Sequence, residues 1–344
     1  MQLLKRGVRL KDKTVSDLQA IFARFLVVGQ KRNIDLSVVF QHELCPVPPS
    51  LIDEYGCLRK GNKSPLVKRL GVAVKNAPPP DVILVDASQL LYHIVWPSSE
   101  TVGDLADGMK NRLVNYKVET YVIFDRYDGI SAKDHERHRR AGEGSTAYQL
   151  TLTSPLPGRD AIVKNKQNKR LLSQLLCTHN LGGHIELVSR ADSIAKHDEA
   201  DISLVSYMLH AASGGARTVR ILSDDTDVFV LLVYWCWKVG LTCQVLMEKW
   251  DRSVLDINAT VAELGEKCKG ILSMHALSGC DTVSYPNGKG KASALKVLFQ
   301  NDIHGLDTVL GEEDATQHDL MEAGTAFFLT LYGHKKCASM NVIY

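Results

Sequence analysis

Five short apolar runs alternate with helical patterns through the middle of this 344-residue chain, and few folds accommodate such an alternation. The runs lie at 82–85, 121–124, 185–188, 219–222 and 243–247. Runs of this kind are typical of strands that are buried on both faces of a sheet. Between them, residues such as Ile202, Val205 and Leu209 recur at helical spacing, which indicates crossover connections. The sequence therefore predicts an α/β fold with a central, mostly parallel sheet.

The residues before the first run predict a separate helical extension. A helix is expected over 14–28, where apolar residues recur at helical spacing, with Thr14 as its cap and Gly29 at its end. Three prolines at 78–80 cannot continue a helix and indicate a stiff connector. We therefore expect residues 1–80 to form an N-terminal extension.

The rest of the chain is expected to form one main domain with a C-terminal appendage. The domain covers 81–300, and a helical segment follows over 301–344. Within the domain, the polar and basic stretch at 126–180 includes K-D-H-E-R-H-R-R and K-N-K-Q-N-K-R. A connection of this length is usually functional or disordered, so we expect a basic insertion there.

Acidic residues follow several of the apolar runs. Asp86 ends one run, Asp125 ends the next, and Asp225 and Asp227 follow a third in S-D-D-T-D. The carboxyl ends of parallel strands meet at one edge of a sheet, where ligands bind. Close carboxylates there repel by roughly 4 kcal/mol per pair at an effective dielectric near 20. Divalent cations relieve this repulsion, and hard oxygen ligands select Mg²⁺ or Mn²⁺, so the pattern is typical of a metal-dependent phosphodiesterase.

The S-D-D-T-D motif has two interpretations. If the segment stays extended, Asp225 and Asp227 share a face and Asp224 points away from them. Alternatively, Asp and Thr cap a helix that starts near Val228. The sequence leaves both open.

A second acidic motif opens the helical pattern that runs towards Ala212. Acidic residues in a first turn are favoured by the helix dipole, so Asp198, Glu199 and Asp201 also have a purely structural interpretation. Glu199 joins Asp201 on one face only if the helix begins at or after Glu199, which the sequence does not decide.

A glycine- and lysine-rich motif follows the last acidic residue of interest. Asp281 lies in H-A-L-S-G-C-D-T, and G-K-G-K comes before a helical pattern. Glycine amides and lysine ammonium groups at such a position favour phosphate. The spacing of a P-loop is missing. The formal net charge is only +2, so any polyanion must be bound by local patches of this kind.

The order of these motifs resembles the flap endonucleases, a group in the PIN-like 5′ nuclease superfamily. The shared series is V-D-A-S, V-I-F-D, D-E-A-D, S-D-D-T-D, and G-C-D-T ahead of G-K-G-K-A-S-A-L-K. The resemblance covers about residues 81–300. The chain looks more similar still to transposon-associated animal proteins with H-E-E-A-D, V-D-T-D and H-A-x-T-G-C-D-T-x-S.

The resemblance implies a PIN-like three-layer fold with a helix–two-turn–helix element over 271–300. It implies a nuclease that uses two Mg²⁺ or Mn²⁺ ions, with seven carboxylates as ligands and catalytic residues. The first ion would be held by Asp86, Asp125, Glu199 and Asp201, and the second by Asp225, Asp227 and Asp281. The insertion would act as a mobile gateway, and its basic residues would steer the scissile phosphate, namely Lys133, Arg137, Arg139 and Arg140. The duplex backbone would be gripped by Gly288, Lys289, Gly290 and Lys291.

Departures from the family pattern keep an alternative open. Asp201 stands where flap endonucleases have glutamate, and the family's free N-terminal glycine is absent. A catalytically silent PIN-like domain of transposon origin, which only binds nucleic acid or protein, is therefore the second hypothesis. The presence of a carboxylate at all seven positions favours the enzyme, because uncompensated acids repel phosphate.

Cellular context follows from what the chain lacks. Its eight cysteines contain no C-x-x-C pair, which argues against a zinc ribbon or a disulfide scaffold and for a reducing compartment. The N-terminus has no apolar stretch of the signal-peptide kind, and the most apolar run, at 228–237, is far shorter than the ~20 residues of a membrane helix. We expect an intracellular protein, in the nucleus rather than the cytoplasm, with DNA rather than RNA as its partner.

Overall fold

The structure is a computed structural model in which the chain forms two compact units. It describes residues 7–10, 13–16, 18–32, 34–35, 38, 50–53, 57–96, 100–125, 146–179, 181–188, 194, 197, 199–300, 303 and 305–334. One unit, the split unit, joins Met1–Lys63 to Ser273–Tyr344, and the other, the sheet unit, is Ser64–Leu272. The chain thus divides after residues 63 and 272, whereas the sequence placed its boundaries after 80 and 300.

The described elements are numbered here in chain order. The strands are β1 (Gly7–Leu10), β2 (Lys13–Ser16), β3 (Val72–Val74), β4 (Val82–Asp86), β5 (Glu119–Ile123), β6 (Ile185–Val188), β7 (Thr218–Leu222), β8 (Gln244–Glu248) and β9 (Val254–Asp256). The helices are α1 (Leu18–Lys31), α2 (Ser64–Leu70), α3 (Ala87–His93), α4 (Val102–Leu113), α5 (Arg159–Val163), α6 (Lys166–Thr178), α7 (Ala200–Ser213), α8 (Thr226–Val239), α9 (Ile257–Leu264), α10 (Ile271–Leu277), α11 (Lys291–Gln300) and α12 (Gln317–Tyr332). Two short 3₁₀ helices cover Val114–Tyr116 and Gly265–Gly270.

A seven-stranded sheet in the order β3-β9-β8-β7-β4-β5-β6 forms the centre of the sheet unit. Strands β8, β7, β4, β5 and β6 are parallel to one another. Strand β9 runs antiparallel to β8, and β3 runs antiparallel to β9. The predicted α/β fold with a mostly parallel sheet is confirmed, and each of the five predicted strands is present within two residues of its predicted bounds.

The strand order reverses at β4. The chain adds β5 and β6 on one side of β4 and then returns to add β7 and β8 on the other side. In open parallel sheets, ligands bind outside the carboxyl ends of the strands at such a reversal. Here the reversal lies between β4 and β7, which pair in register from Val82 with Val219 to Val85 with Leu222.

Helices cover both faces of this sheet. Ile83 and Val85 of β4 join a core cluster with residues of α4 and α6, such as Leu105 and Leu172. On the opposite face, Leu84 is fully buried, and its register partner Tyr121 packs its ring 4.8 Å from that of Tyr207 in α7. This arrangement is compatible with a three-layer α/β fold.

The prediction for the N-terminal region was partly wrong. Thr14 caps no helix: it lies in β2, opposite Arg9 of β1, because the β-branched pair Thr14-Val15 favours a strand. The helix begins later, at Leu18, and continues past Gly29 to Lys31.

The structure describes residues 146–179 of the basic stretch at 126–180, while residues 126–145 lie outside the described residues. The second half of this stretch contains α5 and α6, whose Ile162, Leu172 and Leu176 are fully buried in the core of the sheet unit. The K-N-K-Q-N-K-R motif forms the start of α6, with Asn165 as its N-cap. Gln167 and Arg170 of this helix are exposed while Leu172 and Leu176 are buried, which explains why the stretch looked like a polar loop.

The split unit contains the glycine-rich motif between α10 and α11. Two glycines of the split unit lie close to one aromatic ring, since a Cβ on Gly61 or Gly279 would lie within 2.5 Å of the Tyr285 side chain. Only glycine fits at such a distance, so the loop after α10 is packed tightly. Among the described residues of the whole chain, no helix combines the length and the apolar character that a membrane span requires.

Candidate metal centre

Asp86 lies at the reversal point of the sheet. It is the last residue of β4 and the N-cap of α3, where its Oδ1 accepts a hydrogen bond from the Gln89 amide at 3.1 Å. Its Oδ2 accepts a second bond from the Ser223 hydroxyl at 3.3 Å. The residue is only 3% exposed, so its carboxylate is held by these donors in a largely water-free position.

Asp125 connects the next strand to helix α7. It lies two residues beyond β5, and its Oδ1 accepts a hydrogen bond from the Ala200 amide at 3.0 Å. Glu199 occupies the N-cap position of α7 without making a capping bond with its own side chain. The cap is therefore supplied by a carboxylate from a different strand, which fixes the start of α7 against the edge of the sheet.

The start of α7 settles a question that the sequence left open. Because the helix begins at Ala200, it starts after Glu199, and Asp201 lies in its first turn. Asp201 is 8% exposed, and Glu199 is half-buried. Asp198 lies outside the described residues.

Asp225 and Asp227 open helix α8, as the capping interpretation of S-D-D-T-D predicted. Asp225 is the N-cap, and its Oδ1 accepts a hydrogen bond from the Asp227 amide at 2.9 Å. The Asp225 amide in turn donates to the Ser223 hydroxyl at 3.1 Å. Capping and clustering are therefore compatible here, because the same turn brings the two carboxylates together.

Three of these carboxylates form a group that could hold a metal ion. Asp201, Asp225 and Asp227 each offer an oxygen, and the three oxygens lie within 4.8 Å of one another. Asp201 is buried, and the other two are half-buried. The donor set contains only carboxylate oxygens, which suits a hard divalent cation.

Asp86 experiences the charges of this group. Its pKa lies well above the usual value, mainly because burial penalises the charged form. The charges of Asp201, Asp125 and Asp225 raise it further, and the Gln89 amide opposes them. Four carboxylates therefore interact at this edge of the sheet, and a bound cation would favour the ionised form of all of them.

The structure places Asp281 in the split unit. There its Oδ1 forms an ion pair with Lys63 Nζ at 2.6 Å. The three carboxylates of the metal group all belong to the sheet unit.

Lys291, one of the residues expected to bind the backbone of a duplex, is buried in the structure. This side chain is 1% exposed, and its Nζ donates to the His275 carbonyl at 2.5 Å and to the Ser278 hydroxyl at 2.9 Å. The ammonium group binds the carboxyl end of α10, where backbone carbonyls lack helical partners, and is turned away from solvent. Lys291 was thus wrongly predicted as a surface contact.

The neighbours of Lys291 are more accessible. Gly288 adopts a positive φ of 68°. Gly290 directly precedes α11, and its carbonyl accepts hydrogen bonds from the amides of Ser293 and Ala294. Lys289 is half-buried, with Nζ 5.4 Å from the centroid of the Tyr332 ring. The other predicted contacts lie outside the described residues, namely Lys133, Arg137, Arg139 and Arg140.

Sequence reasoning missed Ser223. It is fully buried, and its hydroxyl joins Asp86 to the backbone of Asp225. The available signal was a serine between an apolar run and an acidic pair, because a hydroxyl at such a position can donate one hydrogen bond and accept another.

Comparisons with known proteins leave the family open. No protein-family model matches the chain, and a search of curated proteins finds no match either.

Proposed function

We propose that this protein is a metal-dependent nuclease that hydrolyses phosphodiester bonds in nucleic acid. The observation that carries the proposal is the group of Asp201, Asp225 and Asp227, whose oxygens converge within 4.8 Å at the reversal point of the sheet. A purely structural role explains caps at α7 and α8, but it does not explain why three carboxylates are brought together beside a buried fourth one.

The proposed cofactor is Mg²⁺ or Mn²⁺, with two ions. Asp201, Asp225 and Asp227 would hold one ion, and Asp86 and Asp125, with Glu199 at the start of α7, would contribute to the second. Bound ions would lower the pKa of the attacking water and stabilise the leaving oxygen. The side chains would keep the ions in place, because Asp86, Asp125 and Asp225 are themselves fixed by backbone amides.

The proposed substrate is DNA. This rests on the ordered motifs that resemble flap endonucleases and on the basic segment K-D-H-E-R-H-R-R, which suits a strand of phosphates. A nuclease that acts on DNA is expected in the nucleus, so the proposed location is nuclear. An enzyme that hydrolyses a small phosphate ester would not require such a basic segment.

The test is cleavage of end-labelled branched, hairpin and single-stranded DNA and RNA in Mg²⁺, Mn²⁺ or EDTA. The double variant Asp225→Asn/Asp227→Asn removes two charges, while Asn can still cap α8. Asp314→Asn, an exposed acid outside the group, is the matched control. We expect metal-dependent cuts by the wild type and the control and none by the double variant. Binding without cleavage in either metal would contradict the nuclease and favour the silent binding domain.

A further inference from the structure

A cavity lies at the edge of the sheet opposite to the metal group. Its volume is about 600 Å³, and it borders Arg217, which directly precedes β7, and Cys243, which directly precedes β8. The metal group lies at the other edge, where Asp225 follows β7 by three residues. Strand β7 spans about 17 Å at 3.3 Å per residue, so the two places are separate. We call this space the amino-edge cavity.

Two helices of the metal group end at the amino-edge cavity. Helix α7 carries Asp201 in its first turn, and its last turn contributes Ala212 and Ser213 to the wall. Helix α8 is capped by Asp225 and contributes its last residue, Val239. The cavity is therefore built from the same two helices as the candidate metal centre, but from their opposite ends.

Apolar side chains form much of the wall. Leu209, Ala212, Val239 and Leu241 line the cavity, and Val239 is 51% exposed in its absence of cover from other described residues. Ligand pockets of roughly 300 to 1,000 Å³ commonly combine such walls with a few polar groups that orient the ligand. A volume and lining of this kind favour a small molecule with an apolar body.

Arg217 is the only charged residue among the described residues that line the amino-edge cavity. The other polar side chains there are the hydroxyls of Ser213 and Thr242 and the thiol of Cys243. Burial raises the pKa of Cys243, so this thiol adds no negative charge at neutral pH. The lining therefore combines one positive charge with neutral polar groups.

The ends of the two helices offer few acceptors to a cation. The amides of Gly214, Gly215 and Ala216 donate to carbonyls in the last turn of α7, and those of Gly240 and Leu241 donate to a carbonyl in the last turn of α8. These bonds satisfy carbonyls that a helix otherwise leaves without partners. The electrostatics of the cavity thus favour an anion over a cation.

The guanidinium of Arg217 is accessible to such an anion. Arg217 is exposed, and within the described part of the chain no carboxylate forms an ion pair with it. Asp81, whose pKa the Arg217 charge helps to lower, lines a neighbouring cavity and accepts hydrogen bonds from two backbone amides. A guanidinium can bind a carboxylate through two parallel hydrogen bonds.

We propose that the amino-edge cavity binds a small amphiphilic carboxylate, with its carboxylate on Arg217 and its apolar body between the ends of α7 and α8. A neutral apolar molecule would leave the guanidinium without a partner, and a polyanion would not cover the apolar wall. The inference goes beyond the proposed nuclease function and does not rest on it, because the cavity and the metal group lie at opposite edges of the sheet.

The experiment is isothermal titration calorimetry of the full chain in EDTA. The ligands are hexanoate, octanoate, decanoate and octanol, which is uncharged but has the same chain length as octanoate. The variants are Arg217→Gln, Ala212→Phe, which fills part of the cavity, and Arg69→Gln, which removes an exposed arginine of the sheet unit outside the lining. Arg217→Gln keeps the backbone bonds of this residue to Asp81 and Gln244. Urea unfolding shows whether each variant is folded.

We expect the wild type and Arg69→Gln to bind the acids at one site, with an affinity that rises about two- to fourfold for each added methylene. Arg217→Gln should bind octanoate about 3- to 10-fold more weakly, as the loss of a partly solvated charged partner predicts, and octanol as tightly as the wild type does. Ala212→Phe should bind both ligands more weakly, because the apolar body loses its space.

Three results would overturn the inference. If the wild type binds none of the acids at millimolar concentration, the cavity is no site for this class of ligand. If Arg217→Gln binds octanoate as tightly as the wild type, or loses octanol to the same extent, the guanidinium does not hold the carboxylate. If folded Ala212→Phe binds octanoate unchanged, the acid binds elsewhere. The titration contains neither free metal nor nucleic acid, so a failure of the nuclease proposal would not alter these outcomes.

Discussion

The Ser223 hydroxyl donates a hydrogen bond to Asp86 Oδ2 at 3.3 Å and thereby joins the carboxyl ends of β7 and β4. The same hydroxyl accepts a bond from the Asp225 amide at 3.1 Å. One buried side chain thus sets the position of two acidic residues that lie far apart in the sequence. The reversal point of the sheet is held together by this contact as well as by the strand pairing.

Ser223→Ala should lower the free energy of unfolding by about 2 kcal/mol, because it leaves a buried carboxylate oxygen and a backbone amide without their partner. Urea unfolding in EDTA measures this. Ser206→Ala is the control, since that hydroxyl is exposed and bonds only within α7, to the Ile202 carbonyl. A loss no larger than that of Ser206→Ala would show that Ser223 does not organise the site.

Asp125 should show separate structural and electrostatic roles. Asp125→Ala removes the cap that Ala200 uses and should cost about 1 kcal/mol of stability in EDTA, as cap deletions do. Asp125→Asn keeps an acceptor and should retain most of that stability, but it loses a charge near Asp86. We therefore expect both variants to bind Mn²⁺ more weakly. Equal stability of the two variants would contradict the capping role.

Lys291→Met should lower the free energy of unfolding by about 2 kcal/mol, because the buried acceptors at His275 and Ser278 lose a charged donor. Lys296→Met, on an exposed part of the same helix, should change stability by less than about 0.5 kcal/mol. Affinity for duplex DNA, measured by anisotropy on folded protein, should be the same in both variants. A selective loss of affinity in Lys291→Met would restore Lys291 as a phosphate contact.

Asp81 should contribute stability that depends on pH. Its carboxylate accepts bonds from the amides of Thr218 and Arg217 at 3.0 and 2.8 Å, and these bonds lower its pKa. A carboxyl whose pKa is lower in the folded state stabilises the fold above its unfolded pKa and loses this effect as the pH falls through its folded pKa.

The measurement for Asp81 is urea unfolding of the wild type and Asp81→Asn from neutral to acidic pH. The variant should be less stable at neutral pH, and the difference should shrink in the acidic range. A difference that stays constant with pH would contradict the assigned cause. Asp314→Asn should show neither effect.

The sheet could be predicted because its strands are continuous apolar runs. Strands β3 and β9 were missed, because they have three residues each, too few for a periodic signal. The strand order depends on pairing between distant segments, which local patterns do not encode. For the same reason, the sequence misplaced 64–74, which contributes α2 and β3 to the sheet unit.

The candidate site was predictable where it follows from strand ends, as for Asp86 and Asp125. Asp201 was harder, because its position depends on the residue at which α7 begins. The Asp125 side chain caps this helix from 75 positions away, so no local pattern around Asp201 specifies the start. Lys291 shows the converse: G-K-G-K indicates an exposed phosphate contact, but the tertiary fold directs the second lysine into the interior.

The metal centre is tested most directly by titrating Mn²⁺ into the metal-free protein and counting bound ions by electron paramagnetic resonance. The wild type and Asp314→Asn should remove Mn²⁺ from the free signal with the same affinity, and Mg²⁺ should displace it. Asp225→Asn/Asp227→Asn should lose this binding while remaining folded. Equal binding of Mn²⁺ by the double variant and the wild type would contradict a metal centre at Asp201, Asp225 and Asp227.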